Sequence, residues 1–174
     1  MHQARLLVQS ANVADGLVQE TLRTVFLLYE EHRDDDSLEP WAMNVLRNNV
    51  VQWYRAPVNR VALHAQRGGQ DMQMAIDKLY DSDGTYLARV PPWQPPANRH
   101  EQRLLLTTLE HCVDSLPEQA GRVLLMREWL SFDTNEIGER LGMSAGNCRT
   151  ILYRARASLR DCVQKGWLEQ RIPA

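Results

Sequence analysis

The stretch DTNEIGERLGMSAGNCRTILYRARASLRDC, residues 133–162, decides the fold. Asp133 followed three residues later by Glu136 is a capping-box start, in which each side chain closes an orphan backbone N–H of a helix N-terminus. Ile137 and Leu141 then supply one apolar turn-and-a-turn, and Gly142 supplies the residue most easily placed in the left-handed conformation that ends a helix. Ser144 caps a second, longer helix that continues through Ile151, Leu152, Ala155, Leu159 and Cys162 on its apolar side. A short helix, a glycine turn and a longer helix form the helix-turn-helix pattern. The other side of the longer helix carries Asn147, Arg149, Thr150, Tyr153, Arg154 and Arg156. In such a motif the second helix lies in the DNA major groove. Arg suits guanine edges, and Thr or Tyr meets phosphates or thymine methyls. A lone capped helix with arginines would be a solvated face; here the caps, the turn and the basic face coincide, which favours DNA binding.

Working outward, Pro117 opens a helix that ends near Trp129, and residues 101–115 form an amphipathic helix through Leu105, Leu109 and Cys112 or Val113. Toward the N-terminus, prolines and glycines gather between Pro57 and Pro96. A connector of that length exceeds an ordinary loop and reads as functional, mobile or carrying a short helix, for which residues 71–80 are suited. Before it, Asn12 is placed to cap a helix running through LVQETLRTVFLLYEE. Its apolar face is Leu17, Leu22, Val25, Phe26 and Leu28 or Tyr29. A further helix spans about 39–55 with Pro40 in its first turn. Trp41, Val45, Leu46, Val50 and Trp53 or Tyr54 face inward there, leaving Asn44, Arg47, Asn48, Asn49, Gln52 and Arg55 as the polar remainder. The expected fold is all-α: two small helical domains, 1–56 and 101–174, joined by a linker over 57–100.

A chain of 174 residues, 44% hydrophobic and 24% charged, is large enough to bury a core without metals or disulfides. No uncharged run approaches the roughly 18 residues of a membrane span, and MHQARLLVQS lacks a secretory apolar region, so export and membrane insertion are not expected. Three cysteines, Cys112, Cys148 and Cys162, match neither a disulfide framework nor a zinc spacing, and fit a reducing cytoplasm. The formal net charge of −2 hides an uneven distribution. Residues 41–67 hold Arg47, Arg55, Arg60 and Arg67 with no acid, and 144–174 are also net basic, whereas 30–39 are strongly acidic. Two basic segments in a mildly acidic chain make a nucleic-acid footprint.

Catalytic signatures are missing. The five histidines are scattered, with no HExxH or i, i+4 pair. His111 and Cys112 are sequence neighbours on a helix, so their side chains diverge by about 100° and form no dyad. Gly68-Gly69 is a turn signal rather than a phosphate loop. No enzyme, no catalytic residue, no cofactor and no bound metal are expected.

The segment LPEQAGRVLLMREWLSFDTNEIGERLGMSAGNCRTILYRARASLRDC (116–162) resembles region 4 of bacterial sigma factors of the extracytoplasmic-function (ECF) group. ADGLVQETL (14–22) and WAMNVLRNN (41–49) resemble region 2. The connector KLYDSDGTYLARVPPWQPPANRHEQR is similar to linkers of a subgroup with a terminal LR-x-C-x-x-x-x-W pattern, here Leu159, Arg160, Cys162 and Trp167. The resemblance implies a cytoplasmic, non-catalytic protein that joins core RNA polymerase and directs promoter recognition. It places Leu17, Val18, Gln19, Glu20 and Arg23 at the polymerase. Asn48 and Asn49 would sit nearest a flipped base of the minus-ten element, where amides both donate and accept. Arg47 and Arg55 would hold the separated strand by its phosphates, with Trp53 or Tyr54 stacking on bases or packing in the core. Ser144, Asn147, Arg149, Thr150, Tyr153, Arg154 and Arg156 would meet the minus-thirty-five element. A further partner is an anti-sigma factor, of a kind that in the subgroup binds zinc itself. The family's first region 2 helix begins before residue 4, so this chain holds its later part. Gly16 stands where an acidic residue commonly precedes the hydrophobic-Val-Gln-Glu motif. The alternative is a helix-turn-helix regulator whose polymerase binding is weak or lost.

Overall fold

The computed structural model describes residues 2–8, 10–29, 38–56 and 95–168. The linker calls, including the helix suggested over 71–80, lie largely outside the described residues. Among the described residues the regular structure is helical: α1 His2–Val8, α2 Ala11–Leu27, α3 Leu38–Arg55, α4 Arg99–Asp114, α5 Glu118–Glu128, α6 Thr134–Leu141 and α7 Ala145–Val163, followed by a π-helical turn Gln164–Leu168. The described residues are all-α, as expected. By contacts it divides into two units, Met1–His64 with Leu125–Ser144, and Ala65–Leu124 with Ala145–Ala174.

In the first unit α2 packs on α1 and α3. The chain enters α2 at Ser10, whose hydroxyl accepts from the Val13 N–H at 3.5 Å. The cap is therefore Ser10 rather than the expected Asn12, and Asn12 lies in the first turn. The inward stripe of α2 also differs from the expected one. Ala14 and Thr21 are buried, while Leu22 is 60% and Phe26 82% exposed. Small side chains let the helices approach closely, and the Thr21 hydroxyl is satisfied by donating to the Leu17 carbonyl at 2.7 Å. The large apolar residues of α2 are consequently turned outward.

On α3, Leu46, Val50 and Tyr54 are buried. Tyr54, not Trp53, is the core aromatic: its hydroxyl donates to the Leu7 carbonyl, and its ring meets Phe132 edge-on at 5.7 Å. The Arg140 guanidinium lies 4.3 Å from the Phe132 ring centroid, within cation–π range. These contacts gather residues 125–144 with α1–α3. The α6 start has the capping box in full: Asp133 accepts from the Asn135 and Glu136 N–H groups at 2.8 and 2.9 Å, and Glu136 accepts from the Asp133 N–H at 2.9 Å. Gly142 closes α6 at φ 64°, a left-handed backbone that glycine adopts without the Cβ penalty.

In the second unit α4 packs on α7 and on the π-helical turn. Asn98 caps α4, accepting from the Glu101 N–H at 2.9 Å. Thr108 and Cys112 are the buried residues of α4, and Leu109, expected inside, is 38% exposed. Val123, Cys148, Ala155 and Trp167 are also fully or almost fully buried. The π-helical turn presses so closely on α4 that a Cβ added at Gly166 would come within 2.8 Å of Thr108 Cγ2. Cys112 and Cys162 are joined by a disulfide, and Cys148 is free and buried. This corrects the reading that the cysteines form no disulfide. The partners are 50 residues apart in sequence, and only the packing of α4 on α7 brings them together.

Candidate functional site

The exposed face of α7 is made by the helix period. Asn147, Arg149, Thr150, Tyr153 and Arg156 are exposed, with Tyr153 at 58%, while Arg154 is half-buried. The opposite face, Cys148, Ile151, Leu152 and Ala155, is anchored in the second unit. An anchored apolar face and a basic outer face fix which side chains a groove of DNA would meet. Ser144 immediately precedes the first residue of α7, the N-cap position. Burial pushes the Cys148 thiol up, opposed by a backbone hydrogen bond and by the Arg149 charge, so this cysteine stays protonated and belongs to the anchored side.

On α3 the residues expected to read a single strand separate into two groups. Asn48 and Arg55 are exposed, as are Asn44 and Gln52. Residues 44, 48, 52 and 55 fall at intervals of four, four and three, which places them on one stripe. Asn44 and Gln52, polar positions of this helix to which the sequence assigns no DNA contact, share that stripe. The second group is engaged within the chain. Arg47 donates through Nε to the Trp129 carbonyl and through Nη2 to Ser131 Oγ at 2.9 Å. Asn49 donates through Nδ2 to Thr21 Oγ1 at 3.1 Å and is half-buried. Trp53 is half-buried, its ring edge-on to Tyr54 at 4.9 Å. The structure thus brings Asn48 and Arg55 onto an open stripe, and holds Arg47 and Asn49 against other elements.

On α2, Leu17 and Val18 are half-buried and Gln19, Glu20 and Arg23 are exposed. Leu22, Phe26 and Leu27 extend the exposed side of this helix with apolar surface. This reverses the expectation that Leu22 and Phe26 face the core.

The Asp133 carboxyl is held below its ordinary value chiefly by the N–H groups of Glu136 and Asn135, with the Arg127 and Arg140 charges assisting and desolvation opposing. Among the described residues no helix is long and apolar enough to cross a membrane.

Comparison with known proteins places these surfaces in context. Residues 106–159 match a family model described as Sigma-70, region 4. Over 167 residues the chain is 25% identical to a Haemophilus influenzae protein named "Probable RNA polymerase sigma factor", covering 93% of this chain and 82% of that one. It is 26% identical to RNA polymerase sigma factor YlaC of Bacillus subtilis, covering 91% and 82% of the two chains. With the ECF RNA polymerase sigma factor SigE of Mycolicibacterium smegmatis the identity is 30%, covering 87% of this chain and 52% of that one.

Proposed function

Because the chain belongs to the extracytoplasmic-function group of bacterial RNA polymerase sigma factors, we propose that α3 and α7 are its two promoter-reading helices and α2 its polymerase-docking helix. It binds core RNA polymerase and directs promoter recognition and transcription initiation. Residues 1–56 act as region 2, 57–100 as the linker and 101–174 as region 4, in the cytoplasm where the polymerase works. The observation that carries this reading is the exposed row Asn147, Arg149, Thr150, Tyr153 and Arg156 on a helix whose other face is anchored. It lies inside the segment that matches sigma region 4.

The division of labour follows from the chemistry. On α7, Arg149 and Asn147 offer donors to base edges of the minus-thirty-five element, while Thr150, Tyr153, Arg154 and Arg156 position the helix on phosphates. Behind Ser144, the N–H groups of the first turn of α7 favour a phosphate. On α3, Asn48 meets an extruded minus-ten base with Asn44 and Gln52 beside it, and Arg55 takes the strand's phosphates. Asn49 supports α3 on α2 through Thr21. Leu17 and Val18 set the position of α2, and Gln19, Glu20 and Arg23 with Leu22 and Phe26 form the polymerase contact. An anti-sigma factor would compete for the same apolar face.

The test is transcription with purified core polymerase on a template carrying both promoter elements. The chain should give core-dependent initiation, Asn48→Ala should reduce opening, and Phe26→Ala should weaken holoenzyme assembly. Tight, specific binding of the free chain to duplex DNA without core-dependent initiation would overturn this reading.

A further inference from the structure

The disulfide between Cys112 and Cys162 sits at a cavity of about 600 Å³ that both cysteines line. Cys112 is buried and Cys162 half-buried, so Cys162 is the sulfur a reagent would reach first. Two basic side chains, His111 and Lys165, also line the opening and are themselves exposed. One acid, Asp161, lines it as well and accepts from Lys165 at 2.8 Å. Lys165 brings a cation to the opening, its charge shared with Asp161, and a cation near a sulfur favours the thiolate, the reactive form of cysteine. A cavity of this size holds a tripeptide-sized molecule.

We propose that Cys112 and Cys162 are a reversible oxidation site, opened and closed by a small acidic thiol and its disulfide entering through this cavity. In the closing direction the Cys162 thiolate attacks one sulfur of the small disulfide and expels one small thiolate, leaving a mixed disulfide on Cys162. The Cys112 thiolate then attacks the Cys162 sulfur and expels the second small thiolate. Two electrons pass from the protein thiols to the small disulfide, and the two protons leave on two small thiols. Opening is the same sequence reversed.

Packing around the pair explains why both states keep their fold. Trp167 is fully buried, and Gly166 lies close against Thr108, so the turn is seated on α4 by contacts other than the covalent bond. In a cytosolic protein, a disulfide with these properties belongs to the transient, redox-sensing class. The bond would tether the C-terminal end of α7 to α4, and its state would set how firmly the anchored side of α7 is held.

The experiment needs neither polymerase nor DNA, so it stands apart from the promoter-reading assignment. The full chain is equilibrated with graded ratios of reduced and oxidised glutathione, acid-quenched, and its thiols are alkylated and located by mass spectrometry. At the oxidising end, one free thiol, Cys148, should remain; at the reducing end there should be three, with helical circular dichroism retained. Cys148→Ser should leave the transition in place, and Cys162→Ser should abolish it while remaining helical. Lys165→Glu should slow closure by oxidised glutathione several-fold and leave closure by uncharged hydroxyethyl disulfide unchanged. A bond that opens only after denaturation, one that engages Cys148, or equal rates with both reagents for Lys165→Glu would overturn the proposal.

Discussion

Arg47 distinguishes two physical roles for the polar side of α3. As a phosphate contact alone, it would contribute nothing to the free protein. In the structure its guanidinium spans the turn after α5, donating to the Trp129 carbonyl and to Ser131 Oγ. That turn needs holding, since Ser131 adopts φ 62°, a left-handed backbone for a residue with a Cβ. Such a conformation costs on the order of 1–3 kcal/mol and persists only where the surroundings over-determine it. A hydrogen bond from a charged group contributes about 1.5–3 kcal/mol when buried. One of these two bonds is partly buried and the other exposed, which reduces the pair to roughly 2 kcal/mol in total. For a cooperative unit of 60–100 residues, 1 kcal/mol moves the melting temperature by about 4–8 °C. Arg47→Ala should therefore lower the melting temperature of the first unit by roughly 8–16 °C. Arg47→Lys should fall between, because an ammonium cannot reproduce the guanidinium fork. Near-ultraviolet circular dichroism follows the transition through Tyr54 and Trp129. An Arg47→Ala protein that melts like the wild type and fails only on promoter DNA would refute the intrachain role.

Four further outcomes follow from single sites. Gly16 is exposed within α2, and a Cβ there would meet nothing within 4 Å, so Gly16→Ala should stabilise by about 0.5–1 kcal/mol in a denaturant titration. The Asp133 carboxyl is lowered from 3.8 by the Glu136 and Asn135 N–H groups, so its contribution is present above the unfolded value and is lost as pH falls below it. Asp133→Asn, which keeps the cap but does not titrate, should flatten that acid-side decline in melting temperature. Arg149→Ala should relax preference at one position of the minus-thirty-five element by about 1–3 kcal/mol, and Arg154→Ala should weaken all sequences evenly, measured as holoenzyme binding to promoter variants.

The C-terminal helices were legible because their ends are written locally. Asp133, Glu136 and Gly142 are within ten residues of each other, and each closes a backbone group of its own helix. Pro117 announced α5 in the same way. The disulfide was not legible, because its two cysteines are 50 residues apart and meet only through the packing of α4 on α7. The inward stripe of α2 was misread for a related reason. Periodicity finds the strongest apolar stripe, but α2 buries Ala14 and Thr21 and exposes Leu22 and Phe26. The larger side chains, Leu22 and Phe26, are on a face left exposed by the packing of α2 on α1 and α3.

The polar side of α3 shows the matching limit for site residues. Seven polar residues fall on that helix outside its core, Glu39 in its first turn and six further along, and local sequence treats those six alike. What separates them is reach: the flanking members, Arg47 and Asn49, lie close enough to neighbouring elements to find acceptors there. Arg47 meets a backbone carbonyl and a hydroxyl of the turn after α5, and Asn49 meets the Thr21 hydroxyl on α2. The central members, Asn44, Asn48 and Gln52, are exposed and spaced by four, with Arg55 three further on. A strand of nucleic acid lying along the helix would meet those four without displacing any intrachain bond described for α3. Drawing it onto Arg47 would require the turn at Ser131 to give up its guanidinium. The strand contact proposed for α3 therefore rests on the central stripe, which can meet a partner with the Arg47 bonds to the turn intact.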